Sequence, residues 1–239
     1  KDHCTITNNI LTNNYKDAIN LFSIGSNYSD YNTVSNNVIN GPAGVETFGI
    51  KIKGSYNTIS DNEIYNTDSP IHIWSWDATE TASPDYNIIS GNTIGPGTGD
   101  APHKYGIEIK TGQHNEVTGN TITGAQWAAI HLYTSHVMAP ENNFDPRPAN
   151  NTISNNTIIG GEVGIALLEG AKNNTVSNNN ISSTTVAGIL GSLSRWPTDW
   201  PSGLSSGLIG TPEQYLQIVD NIIENNILDN CGHGIAMQY

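Results

Sequence analysis

Residues 151–158 read NTISNNTI, and close variants of this phrase recur along the whole chain. CTITNNIL starts at Cys4, NTVSNNVI at Asn32, NTISDNEI at Asn57, NIISGNTI at Asn87, NEVTGNTI at Asn115, NTVSNNNI at Asn174 and NIIENNIL at Asn221. The third residue is always Ile or Val, the eighth always Ile or Leu, and the sixth always Asn (Asn9, Asn37, Asn62, Asn92, Asn120, Asn156, Asn179, Asn226). The starts are 28, 25, 30, 28, 36, 23 and 47 residues apart. A fixed phrase at variable spacing is the mark of a solenoid that winds once per repeat and lets its corner loops differ in length. The apolar residues alternate as the two faces of a strand do and show no helical period. The expected fold is therefore all-β, a single-stranded right-handed parallel β-helix of about eight coils, its hand following the general preference of parallel crossovers. We read residues 1–239 as one such domain, excised from a longer chain, because neither end shows a cap over the exposed strand edges. The sixth-position Asn suits a tight turn, since Asn tolerates left-handed backbone. Stacked coil on coil, these residues should form an amide ladder and are scaffold.

A second motif follows in each coil, usually Gly, apolar, x, apolar, x. It reads AINLF (18–22), GIKIK (49–53), PIHIW (70–74), GIEIK (106–110), AIHLY (129–133), GIALL (164–168), GILGS (188–192) and GIAMQ (234–238). Strand geometry turns the two apolar residues inward and the two x residues outward. The first outward series is Asn20, Lys51, His72, Glu108, His131, Ala166, Leu190 and Ala236. The second is Phe22, Lys53, Trp74, Lys110, Tyr133, Leu168, Ser192 and Gln238. In coils 1 to 5 this strip carries cations, imidazoles, a carboxylate and aromatic rings; in coils 6 to 8 it is bland. Lys51, Lys53 and Lys110 are three of only seven lysines in the chain, and Lys104 lies just before the fourth of these strands. Long connections flank the strip at Ser75–Tyr86, Thr134–Asn150 and Leu193–Gln217. They hold Trp76, Asp77, Asp85, Asp145, Arg147, Arg195, Trp196, Asp199 and Trp200. Long loops with such residues carry function more often than not.

Composition narrows the choice of partner. Nine Lys+Arg against 22 Asp+Glu give a formal charge of -13. That balance disfavours nucleic acid and anionic membranes, which call for a basic footprint. No apolar run is long enough for a membrane span. The clustered lysines still suit an anionic ligand, because distant charges are largely screened beyond about 8 Å at physiological salt. Cys4 and Cys231 lie in the first and last coils, seven coil steps or roughly 34 Å apart. That is too far for a disulfide within one chain.

The repeats resemble those of the pectate-lyase-like superfamily over nearly the whole chain. The resemblance implies a β-helix and admits polysaccharide lyases, glycoside hydrolases, uronan epimerases and non-enzymatic surface proteins. The Asn-rich NTISNNTI style is similar to repeats in surface proteins of methanogenic archaea, polysaccharide-degrading proteins of the disaggregatase type among them. Gly232–His233–Gly234 looks like a polygalacturonase motif, but its order relative to GIEIK is reversed and the paired aspartates are missing, so we assign it no role. Asp145–Pro146–Arg147 departs from the alginate-epimerase motif at its third residue.

These features favour an enzyme, a lyase or glycoside hydrolase, acting on an acidic uronate-containing polysaccharide in a groove along coils 1–5. The expected catalytic residues are His72, Glu108, His131 and Asp77. The expected substrate contacts are Lys51, Lys53, Trp74, Trp76, Lys110, Tyr133 and Arg147. Lysines would neutralise a uronate carboxylate, and His72, His131 or Tyr133 would move the proton beside it. A hydrolase needs a second carboxylate near Glu108, and Asp77 or Asp85 would supply it. The alternatives are a glycan-binding module without chemistry and a structural spacer at the cell surface; the strip could also be ordinary polar surface. No cofactor is expected and no ligand spacing demands a metal, although Ca2+ would accept carboxylate and carbonyl oxygens. The substrate and the resemblance imply an extracellular or cell-surface setting. Leu168 and Leu190, apolar yet outward, suggest a contact patch for a homo-oligomer.

Overall fold

Each eight-residue phrase folds as two short strands around one corner, and the Gly-apolar motif supplies a third strand. In the computed structural model the first coil comprises Thr5–Thr7, Ile10–Thr12 and Asp17–Leu21, and the pattern repeats through to Ile222–Glu224, Ile227–Asp229 and His233–Gln238. Corresponding strands pair in parallel with the next coil, giving three sheets of eight strands each. The structure describes residues 3–22, 29–42, 47–74, 83–95, 104–134, 147–192 and 218–238. Trp76, Asp77, Asp145, Arg195, Trp196, Asp199 and Trp200 lie outside them. Among the described residues every regular element is a strand, and no helix is long and apolar enough to cross a membrane.

The register follows from the apolar residues. The third and eighth positions of the phrase and the two apolar residues of the third strand stack into one core, as in Ile59, Ile64, Ile71 and Ile73 of the third coil, all fully buried. A slip of one residue would turn every such side chain to solvent, so the pattern fixes the pairing. Full burial of one such side chain contributes about 2 kcal/mol.

The corner corrects one expectation in detail. The left-handed residue is the fifth of the phrase, one before the conserved Asn: Asn8, Asn36, Asp61, Asn155, Asn178 and Asn225 have φ of 54° to 57°. Gly91 and Gly119 take that place in coils 4 and 5, at 66° and 65°. The sixth-position Asn instead turns inward and builds the ladder. Asn62, for example, donates from both its backbone N–H and Nδ2 to Asn92 Oδ1 (3.0 Å each), and Nδ2 also donates to the Val34 carbonyl at 3.0 Å. A second ladder, not anticipated, runs through the first position: Asn32, Asn57, Asn87, Asn115, Asn151, Asn174 and Asn221 link coil to coil through the same paired bonds.

The residue just before the phrase is also left-handed in every coil, with φ of 53° to 58°. Coils 6 to 8 place Asn150, Asn173 and Asp220 there, residue types that visit this region readily. Coils 1 to 5 place His3, Tyr31, Tyr56, Tyr86 and His114, for which it is unusual. Their rings stack in one column, with centroids 4.8–5.3 Å apart. Stacking of about 0.5–1.5 kcal/mol per pair offsets the backbone cost. Cys4 and Cys231 are both free thiols.

Candidate functional site

The third sheet carries the strip, and its register is the expected one. Asn20 pairs with Lys51, Lys51 with His72, His72 with Glu108, Glu108 with His131, and His131 with Ala166. The second outward series follows two residues further on, where the backbone N–H groups of Lys53, Trp74, Lys110 and Tyr133 donate to the Leu21, Ile52, Ile73 and Ile109 carbonyls of the preceding coil. A third outward row lies on the other side and was not singled out from sequence: Asp17, Phe48, Ser69, Tyr105 and Ala128. The signal was present one residue before each Gly-apolar motif, but the chain takes two successive inward residues there, Gly106 then Ile107, which breaks simple alternation.

Glu108 is the centre of the arrangement. Its Oε1 accepts the Tyr133 hydroxyl at 2.8 Å, and its Oε2 accepts the Ser69 hydroxyl at 3.1 Å. His72 Nε2 stands 3.6 Å from Oε2. Each histidine is clamped by two aromatic rings in the same relative positions. His72 packs against Phe48 (5.1 Å between centroids) and Trp74 (5.8 Å). His131 packs between Tyr105 (4.7 Å) and Tyr133 (4.3 Å). Both rows thus converge on one carboxylate flanked by two bracketed imidazoles, one in the coil before it and one in the coil after.

These three residues do not lie open. His72 and Glu108 are each 4% exposed and His131 is 3% exposed. Burial is the main cause that lowers the His72 pKa, to about 4; Glu108 opposes it, and Lys110 and Lys51 reinforce it. The imidazole is therefore neutral at neutral pH, and among the described residues neither ring nitrogen has a hydrogen-bond partner. Burial alone would raise the Glu108 carboxyl, but His72, His131, Lys110 and the Tyr133 hydroxyl outweigh it and hold the pKa below the ordinary value. The site is a buried carboxylate beside a neutral imidazole.

The lysines form the accessible part. Lys51 Nζ sits 4.4 Å from both the Phe48 and Trp74 ring centroids and 4.0 Å from Asp17 Oδ1. Its pKa is lowered, chiefly by partial burial, against the pull of Asp17 and Glu108. Lys53 Nζ lies over Phe22 at 5.0 Å and Lys110 Nζ over Tyr133 at 5.7 Å. Lys104 is 3.1 Å from Asp68 Oδ2, in an ion pair beside the strip. Arg147 is half-buried in the segment that leads to the sixth coil. Asp85 is engaged at the corner, where its Oδ1 accepts the Gln113 N–H at 2.6 Å. Among the described residues no group of three His, Cys, Asp or Glu side chains could hold a metal ion.

Coils 6 to 8 give a correction. Leu168 and Leu190 are buried within the chain, 2% and 0% exposed, and pack with Tyr105, Tyr133, Val163 and Ala166 in a second apolar cluster on the outer face. They are not an exposed contact patch, because the apolar character of the outward rows in these coils is used up in packing inside the chain.

The solved structure of alginate lyase from Paenibacillus sp. str. FPU-7 is similar to this chain, with a TM-score of 0.53 and 14% sequence identity over 98% of this chain and 74% of that one. At that identity the likeness is one of fold. No curated protein matches the chain. The right-handed β-helix region family matches residues 1–145 and 144–239, and this chain belongs to it.

Proposed function

We propose that the strip degrades an acidic polysaccharide by elimination. The observation that carries this reading is the pairing of partly exposed lysines with a neutral imidazole and a carboxylate on one face. In such a reaction Lys51, Lys53 and Lys110 neutralise a uronate carboxylate, which makes the adjacent C–H acidic. His72 or His131 takes that proton, the C–H electron pair becomes a C=C bond, and the glycosidic C–O bond breaks; the imidazolium so formed, or water, returns a proton to the leaving oxygen, which departs as an alcohol. Phe48 and Trp74 hold the His72 ring in place 3.6 Å from Glu108, while Tyr133 donates to Glu108. Elimination needs only the cation, the base and the acid that the strip presents, whereas a hydrolase needs a second carboxylate, and Asp85 is engaged at the corner with the Gln113 N–H. The fold likeness to an alginate lyase supports a polysaccharide-degrading β-helix. A substrate of this kind implies an extracellular or cell-surface setting.

The burial of His72, Glu108 and His131 favours a second reading, in which the triad is scaffold and the lysines bind glycan without chemistry. Incubation with uronate polymers separates the two. Elimination produces an unsaturated, ultraviolet-absorbing end, hydrolysis only a new reducing end, and binding neither. We expect His72→Ala and Glu108→Ala each to lower turnover by about 100-fold or more. Native rates in both variants would refute the catalytic assignment.

A further inference from the structure

The aromatic column at the corner before each phrase takes no part in the strip. His3, Tyr31, Tyr56, Tyr86 and His114 hold a left-handed backbone, with φ of 54° to 58°, that aromatic residues seldom adopt. The cost of that backbone and the gain from stacking are of similar size, so the column adds little to stability. Asn150 and Asn173 fill the same place in coils 6 and 7, at φ of 55° and 53°, and Asn visits this region readily. The rings are also open to water: Tyr31, Tyr56 and Tyr86 are 46%, 45% and 44% exposed. Aromatic residues that are strained, exposed and not required by the fold point to a ligand.

The column is pre-formed. The backbone N–H groups of Tyr31, Tyr56 and Tyr86 donate to the Ser55, Asp85 and Gln113 carbonyls of the next coil at 3.0–3.2 Å. Asp30 and Asp85 accept the Ser55 and Gln113 N–H groups at 2.7 and 2.6 Å, which ties the preceding residues together. The three tyrosine rings lie parallel within 6°, with centroids 4.9 and 5.0 Å apart. Their faces are turned to one another, so a ligand meets ring edges, and the Tyr56 hydroxyl is open to solvent. Beside them runs a second rank, Thr33, Thr58 and Ile88, paired in register and reached by solvent.

Repeat and charge together indicate the ligand class. A ligand that meets the column in every coil is a linear chain with one unit per coil step of about 4.8 Å. A peptide strand presents the same face only every 6.6 Å or so and falls out of step within two coils. An extended glycan advances by about one coil per sugar. Besides its ring neighbours, the groups that bear on Tyr56 are Asp85 and Asp30, carboxylates that disfavour a polyanion. Phenol and threonine hydroxyls pair with sugar hydroxyls, and ring edges and Ile88 cover C–H surface. We propose that the column binds a neutral, extended glycan along the solenoid axis, one sugar per coil, at a site separate from the lysine strip.

Saturation-transfer NMR titration of the whole protein tests it with cellohexaose, cellobiose, a glucosamine hexamer and hexaproline. Cellohexaose should bind about tenfold tighter than cellobiose, since it spans more of the column. Tyr56→Asn installs the residue that coils 6 and 7 use, so it should keep the native thermal midpoint and weaken cellohexaose about tenfold. Tyr56→Phe keeps the ring and removes only the hydroxyl, and should weaken it about fivefold, the loss of one neutral hydrogen bond. Tyr15→Ala, an exposed tyrosine outside the column, should leave the affinity unchanged. Native affinity in both Tyr56 variants, or no binding of cellohexaose at all, would overturn the site. Tighter binding of the glucosamine hexamer or of hexaproline would overturn the ligand class in favour of a cationic chain or a polyproline peptide.

Discussion

His72 shows how much one residue's surroundings decide. An imidazole on an outward strand position would ordinarily titrate near pH 6.5, yet here burial between Phe48 and Trp74 lowers its pKa to about 4. The groups that face it are Glu108, Lys51 and Lys110, and the two lysines reinforce the effect of burial. Between pH 6.5 and 4 the unfolded chain binds this proton and the folded chain does not, so stability rises with pH across that window and is lost as the solution is acidified. The full effect is about 3 kcal/mol. Glu108, with its pKa below the ordinary value, acts in the same direction at still lower pH. We expect the thermal midpoint to fall between pH 7 and pH 4 and the fall to shrink clearly in His72→Asn. An unchanged pH dependence in that variant would show that His72 is not held neutral. Sequence placed His72 beside Glu108 correctly, because strand register is set by the apolar pattern. It did not show that the pair is buried, because burial of an outward residue depends on rings in neighbouring coils, such as Phe48 and Tyr105, that share no local motif with it.

At the scale of the repeating element, the two Asn ladders do the work that hydrophobic packing cannot do at a corner. Apart from Asn32, which receives only the Cys4 N–H, each buried side-chain oxygen of the ladders receives two N–H groups of the preceding coil, so the corner's polar groups are satisfied within the chain. Asn92→Ala removes the acceptor of both the Asn62 backbone N–H and Asn62 Nδ2, and the donor to the Ile59 carbonyl, all in the interior. We expect it to lower stability by about 3 kcal/mol. Asn9→Ala, in the exposed first coil, should cost less than about 1 kcal/mol. Urea midpoints compare the two directly, and equal losses would mean that burial is not what gives the ladder its weight. The sixth-position ladder was legible because every coil repeats it. The first-position ladder was equally repetitive from the second coil onward, but the quoted phrase treated its initial Asn as a boundary. The aromatic column was hidden because His and Tyr exchange within it and Asn replaces them after the fifth coil. Its unifying property is a left-handed backbone, which residue type does not reveal when the residue is Tyr.

For the whole molecule, two independent series change character between coils 5 and 6. The outward strip turns from charged and aromatic to apolar, and the corner column turns from His and Tyr to Asn and Asp. The solenoid core is continuous across the same point, with Ile130 and Ile165 paired and fully buried on either side of it. A single scaffold therefore carries two surfaces, and the cationic one belongs to a protein of net charge -13. The two scales of charge act over different distances. At 0.15 M salt the Debye length is about 8 Å, so a polyanion near the strip responds to Lys51, Lys53 and Lys110 and hardly to the rest of the surface. At 0.01 M it is about 30 Å, so the negative surface repels the same polymer before contact. Above physiological salt the lysine contacts are themselves screened. Association of an acidic glycan should therefore be fastest at intermediate ionic strength and slower on both sides, as measured by surface plasmon resonance from 0.01 M to 1 M salt. A rate that rose steadily toward low salt would mean that the lysine face dominates the field at every distance. A rate indifferent to salt would mean that the lysines do not receive the ligand.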